Sequence, residues 1–288
     1  MSTANQPASR QLASLETLEY SQDDLGVGLL LMDRPPVNAL GRQLVAELGT
    51  AADALAADPS VRALTLAAQG RTFCAGADLK ERQTMNAQEV RTFVRLLSAT
   101  FQKLAVLPIP TVAAIHGTAA GGGCELALAC DFRVLDASGR IGLPETTLGI
   151  VPGAGGTQRL PRLTGTARAK KWIFSGKLFR ADEALADGVV DRIVPADEVR
   201  PAALEMMTEM ARSAPLVAMK PTPRATSSVA PRAIKVPLLG NSATAARPAA
   251  NAATTDSQTS CPSWASAACT AASAGDSMRT NEPRSSGT

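Results

Sequence analysis

Apolar positions recur along the first three quarters of this 288-residue chain in two distinct periods. Val27–Met32 and Val61–Ala67 are short, nearly continuous apolar runs, the pattern of strands buried on both faces. Between them Leu40, Leu44, Val45, Leu48, Ala52 and Leu55 recur at helical spacing. Val90, Phe93, Val94, Leu97, Phe101 and Leu104 predict a second amphipathic helix, which Pro108 and Pro110 stop. Thr111–His116 reads as another strand, ending in a glycine cluster. Further on, the pattern predicts helices over 166–174 and 181–187, a strand over 188–194 and a helix over 195–212. Strands that alternate with helices predict an α/β fold.

That pattern does not continue to the end. In residues 221–288, Ala, Ser, Thr and Pro supply 43 of 68 residues, while Leu, Ile, Val and Phe supply only 5. Such a segment buries too little apolar surface to offset its ordering entropy. The expected organisation is a flexible N-terminus over 1–14, a catalytic domain over 15–220, and an atypical, poorly packed low-complexity tail over 221–288. The charge divides at the same place. Residues 1–220 hold 23 basic and 23 acidic side chains, so the formal +3 of the chain belongs to the tail. A basic nucleic-acid surface on the folded part is therefore not expected.

Composition narrows the chemistry. No apolar run reaches the roughly 18 residues of a membrane span, and Met1–Ser14 lacks the apolar block of a secretory signal. Five scattered cysteines fit a reducing compartment, cytoplasmic or, as the alternative, the mitochondrial matrix. One histidine, His116, leaves little for a Ser-His-Asp triad or a histidine-rich metal site, so acid/base work falls to carboxylates and no metal is expected.

Three segments carry candidate chemistry: Gly70–Lys80, His116–Ala127, and Ile141–Glu145 with Pro152–Thr157. In the second, Gly121–Gly123 leads from a strand into an apolar helical stretch. Glycine lets a backbone approach a bound group without a Cβ in the way, and the first N–H groups of a helix point at whatever lies in the turn. That is a donor set for a developing oxyanion. Glu125 stands at the helix start among Leu126, Leu128 and Ala129, where a carboxylate faces partial desolvation. Taken singly, the features have plainer readings: a strand–helix packing turn, a helix N-terminal charge, a packed strand-end histidine, and small buried cysteines at Cys74, Cys124 and Cys130. Gly153–Gly156 lacks the Lys-Ser/Thr of a phosphate loop.

Taken in order, the segments Phe73–Glu81, Ala114–Asp131 and Ile141–Gly165, with Asn38-Ala39-Leu40 and Gly188–Val194, resemble the enoyl-CoA hydratase/isomerase (crotonase) family over roughly residues 15–220. The resemblance implies a crotonase-like ββα spiral, with stacked sheets wrapped by helices. It also implies binding of an acyl-CoA thioester, with coenzyme A as part of the substrate and no separate cofactor. By position, Ala77 and Gly122 match the two oxyanion-hole donors. Ala75, Gly76, Ala77, Asp78, Leu79 and Lys80, with Gly121, match the stretch that lines the substrate and its CoA. Glu125 and Glu145 match the paired glutamates of hydratases, one as base and one as acid.

The implied activity is hydration of a short-chain 2-enoyl-CoA. The alternatives are a 3-methylglutaconyl-CoA hydratase, an enoyl-CoA isomerase or an inactive crotonase-fold protein. An RNA-binding relative acting through Lys170 and Lys171 fits the charge balance poorly. The resemblance implies a homotrimer or hexamer, weakened where the tail departs from the family pattern. The change of composition near residue 221 is what a shifted reading frame in GC-rich DNA yields.

Overall fold

In the computed structural model of the chain, described for residue 8 and residues 12–212, the buried apolar runs pair into one six-stranded sheet. Its strands are β1 (Leu18–Gln22), β2 (Val27–Met32), β3 (Ala63–Ala68), β4 (Thr111–Ile115), β6 (Phe132–Asp136) and β9 (Arg192–Val194), in the order β1-β2-β3-β4-β6-β9. Only β1 runs antiparallel to its neighbour; the rest are parallel, with Val27 opposite Ala63, Leu64 opposite Thr111 and Val112 opposite Phe132.

Alternation along these strands sorts side chains to two faces. Leu30, Met32, Leu64, Leu66, Ala113 and Ile115 join the larger core with α1 (Arg42–Ala57) and α3 (Ala87–Ala105). Val27, Leu31, Ala63, Ala67, Val112 and Ala114 meet Val199, Ala202, Ala203 and Met207 on α8 (Val199–Ala211). Both faces are covered, which is why these strands read as continuous apolar runs rather than alternating ones.

A second sheet holds three strands of three residues each: β5 (Thr118–Ala120), β7 (Arg140–Gly142) and β8 (Leu178–Arg180), in the order β5-β7-β8. The chain alternates between the two sheets. β4 leads to β5 and α4 (Gly122–Ala127); β6 leads to β7, a 3-10 helix (Pro144–Leu148) and then α5 (Gly156–Thr164). β3 leads to Cys74, which bridges Ala119 of β5, and then to α2 (Leu79–Gln83) and α3. This repeated strand–strand–helix path is the expected α/β spiral. Each turn of it delivers one segment to the same place, beside β5.

The elements differ from expectation where hydrogen bonding, rather than side-chain pattern, decides. The strand expected over 188–194 begins only at Arg192, because the Val189 and Val190 amides bond to Ala184 O at the end of α7 (Ala181–Ala186). The last helix starts at Val199, after a separate 3-10 turn over Ala196–Glu198. α6 (Thr166–Ser175) lies where helix was expected and buries Trp172, which stacks on Phe179 at 4.1 Å. β6 was hidden by Arg133. That arginine is 2% exposed and donates to Cys130 O, Asp131 O and Val189 O, tying the strand to the segment before β9. The tail expectation falls on residues outside those described.

Candidate active site

The first wall of the site is the loop between β3 and α2. Asn38, buried and in a left-handed conformation (φ 50°), donates through Nδ2 to Gln69 O and Thr72 O, both at 2.8 Å. The backbone that follows it pins the loop: Ala75 N donates to Val37 O, Leu40 N to Gly76 O and Asp78 N to Leu40 O. Gly76 has φ 93°, and a Cβ there would come within 2.7 Å of Ala120 O. The loop is thus pressed against β5, and only glycine fits.

The second wall is the turn from β5 into α4, and its three glycines have three separate tasks. Gly121 takes φ 54° and ψ −120°, a conformation that L side chains rarely adopt. Gly123 packs so closely that a Cβ would lie 2.2 Å from Cys74 O. Gly122 is the first residue of α4, with its N–H unclaimed by the helix. A Cβ on Gly122 would be 3.7 Å from Ala77 N, and a Cβ on Gly76 would be 3.4 Å from Gly122 N. The amides of Ala77 and Gly122 therefore stand together. Among the described residues, neither donates to a protein acceptor. Gly123 is a packing glycine, whereas Gly122 leaves a helix N–H facing the turn.

Glu125 and Glu145 complete the place. Glu125, on α4, is 2% exposed, and its Oε1 accepts from Ala154 N and Gly156 N, each at 2.8 Å. Burial pushes its pKa up to about 7, and Glu145 adds to that rise. The two amides and the Arg159 guanidinium act the other way. Glu145 comes from the 3-10 helix after β7 and is 8% exposed; burial raises its pKa as well. Its Oε2 has no hydrogen-bond partner, while its Oε1 lies 3.2 Å from where a Gly121 Cβ would stand. A buried carboxylate oxygen without a donor is costly, and protonation or a bound water relieves it.

All four groups open on one cavity of about 420 Å³. Its lining includes Ala75, Gly76, Ala77, Leu79 and Gly121 of the segments singled out in the sequence, with Gly122, Glu125 and Glu145. Asp78 and Lys80 are off that wall. The Asp78 carboxylate accepts from Lys80 N and Glu81 N at the start of α2 and pairs with Arg34 at 2.7 Å, while Lys80 is exposed. His116 lies elsewhere, with Nε2 3.1 Å from Gly70 O, and burial lowers its pKa. Cys74, Cys124 and Cys130 are buried. Among the described residues no cluster of His, Cys, Asp and Glu could hold a metal, and no helix is long and apolar enough to cross a membrane.

Several functional parts were invisible in the sequence. The Gly153–Gly156 loop does hold an anion, one the chain itself supplies: the carboxylate of Glu125. Its signal was the glycine-rich start of α5, since such a helix end binds negative charge. Arg159 supports that loop by donating to Ala154 O at 2.9 Å and to Gln102 Oε1 at 3.1 Å. Arg82 lines the cavity and was not singled out.

A spiral of strand–strand–helix units is shared with solved enoyl-CoA hydratases. An enoyl-CoA hydratase from Bacillus anthracis superposes with a TM-score of 0.69 at 40% identity, covering 70% of this chain and 80% of that one. The family model described as enoyl-CoA hydratase/isomerase matches residues 22–236. The chain belongs to the enoyl-CoA hydratase/isomerase family. It is 43% identical over 215 residues to the enoyl-CoA isomerase/hydratase fer4 of Mycosarcoma maydis, covering 71% of this chain and 78% of that protein. It is 42% identical over 200 residues to the mitochondrial methylglutaconyl-CoA hydratase of Rattus norvegicus, covering 69% of this chain and 64% of that one.

Proposed function

We propose that this protein is an enoyl-CoA hydratase that adds water across the 2,3 double bond of a short-chain 2-enoyl-CoA. The observation that carries the reading is the meeting of two unclaimed amides and two buried glutamates on one cavity. The thioester oxygen sits on Ala77 N–H and Gly122 N–H, aimed at the negative charge that develops when oxygen adds at C3. Coenzyme A belongs to the substrate, and no other cofactor enters.

The hydrogen bonds support a division of roles between the glutamates. Two amides on Glu125 Oε1 stabilise its charged form, so it takes a proton from water as the O–C3 bond forms. Glu145, with no donor on Oε2, is the neutral acid that delivers a proton to C2 as the enolate collapses. Water loses one proton to Glu125, C2 gains one from Glu145, and proton exchange between the two carboxyls resets the site.

The test is hydration of crotonyl-CoA by the parent and by Glu125→Gln and Glu145→Gln. Each variant is expected to lose on the order of 10³-fold in kcat, the range for a positioned acid or base. Parental rates in either variant overturn the assignment. A 3-enoyl-CoA assayed in parallel separates hydration from double-bond isomerisation, the activity that the fer4 relative's name also carries.

A further inference from the structure

Among the described residues that line the candidate cavity, Arg82 is the single cationic side chain. Beyond the glycines and the two glutamates, the wall around it is largely apolar, with Leu79, Val94, Leu97, Leu148 and Ile150. The acidic groups close to Arg82 in sequence are engaged elsewhere. Asp78 caps α2 and holds Arg34, and Glu81 faces Arg42 at 3.6 Å. The half-buried Arg82 side chain itself has no hydrogen-bond or ion-pair partner among the described residues.

A guanidinium against an apolar wall gives up hydration that only a counter-charge restores. Its planar fork matches a carboxylate with two parallel hydrogen bonds. The cavity glutamates do not fill that role. Glu125 Oε1 is held by backbone amides with Arg159 as the cation acting on it, and burial and its own backbone are what move Glu145. Among the described residues no carboxylate takes that place, and a carboxylate on the ligand suits it.

We propose that Arg82 selects a 2-enoyl-CoA whose acyl chain bears a second carboxylate, gripping that group while the thioester oxygen rests on Ala77 and Gly122. This rests on the hydratase reading above and narrows its substrate class. A phosphate of the CoA moiety offers similar anionic chemistry, and the two substrates compared below distinguish it from an acyl carboxylate.

The test compares kcat/KM for 3-methylglutaconyl-CoA, which carries the carboxylate, with that for crotonyl-CoA, which does not. The full chain, Arg82→Met and Arg82→Lys are assayed, with melting temperature as the folding control. The expected result is a parent that prefers the acid-bearing ester. Arg82→Met lowers the ratio of the two constants by about 100-fold, as when a site loses the partner of a polar substrate group, and Arg82→Lys restores part of it. An unchanged ratio overturns the proposal, including the case in which both constants fall together because Arg82 serves a phosphate or the fold. A parent that hydrates crotonyl-CoA with an unchanged ratio in Arg82→Met overturns only this proposal; one that hydrates neither ester overturns the hydratase reading itself.

Discussion

The six-stranded sheet and the three-stranded sheet are built by different means. In the larger sheet, side chains decide: Leu64 and Leu66 point into one core, Ala63 and Ala67 into the other, and burial on both faces holds the strands. In the smaller sheet, backbone decides. Its strands have three residues each, β5 is Thr-Ala-Ala, and its neighbours are glycine turns that a Cβ would push apart. Buried side chains hold the larger sheet, while the glycine turns beside the smaller one leave the backbone bare enough for the Ala77 and Gly122 amides to stand together.

Substitution should separate these two contributions. Gly121→Ala puts a Cβ at a left-handed φ and 3.2 Å from Glu145 Oε1. It is expected to lower kcat for crotonyl-CoA by on the order of 100-fold, the scale of one displaced donor or acid. Leu64→Ala empties part of the core instead. Chemical denaturation should show a loss of about 3 kcal/mol, with kcat at 25 °C within about twofold of the parent. If Leu64→Ala cut kcat as deeply as Gly121→Ala, the division between the sheets would not stand.

Protonation gives a smaller and more specific effect. Glu125 has a folded pKa of about 7 against an ordinary 4.5. A carboxyl raised in this way favours the folded state while protonated, so its contribution is full below the unfolded value and is lost as pH rises through about 7. Glu125→Gln keeps a neutral acceptor for the two amides. Its stability relative to the parent should therefore climb between about pH 5 and pH 8, by roughly 3 kcal/mol at most. For activity the sign reverses: the base must be charged, so kcat/KM should fall as pH drops below about 7. A pH-independent stability difference would show that burial does not govern Glu125.

The smallest effect is expected at Arg159, which supports the loop and opposes the rise at Glu125. Arg159→Met should move the acid limb of the pH–rate profile toward higher pH, with kcat reduced less than about tenfold. An acid limb that stays in place would make Arg159 a packing residue only.

Legibility in the sequence followed the same division. β2, β4, α1, α3, α6 and α7 were readable because burial imprints a period on side chains. β5, β7 and β8 were not, since strands of three residues are defined by their neighbours, and β6 was obscured by Arg133, whose charge is met by the Val189 carbonyl far along the chain as well as by the nearby Cys130 carbonyl. Ordered motifs singled out the glutamates and amides that line the cavity. They did not single out the clasp on Glu125, because Ala154 and Gly156 reach it from 29 and 31 residues away. Arg82 was overlooked because nothing in its spacing shows which wall α2 presents to the cavity.

The carbonyl stretch of a bound thioester tests the central arrangement most directly. With crotonyl-CoA held on Glu145→Gln, where turnover is slow, infrared difference spectra should show the thioester band moved to lower frequency than in water. That shift would report polarisation by Ala77 and Gly122. A band at its solution frequency on saturated protein would mean that the two amides do not hold the oxygen.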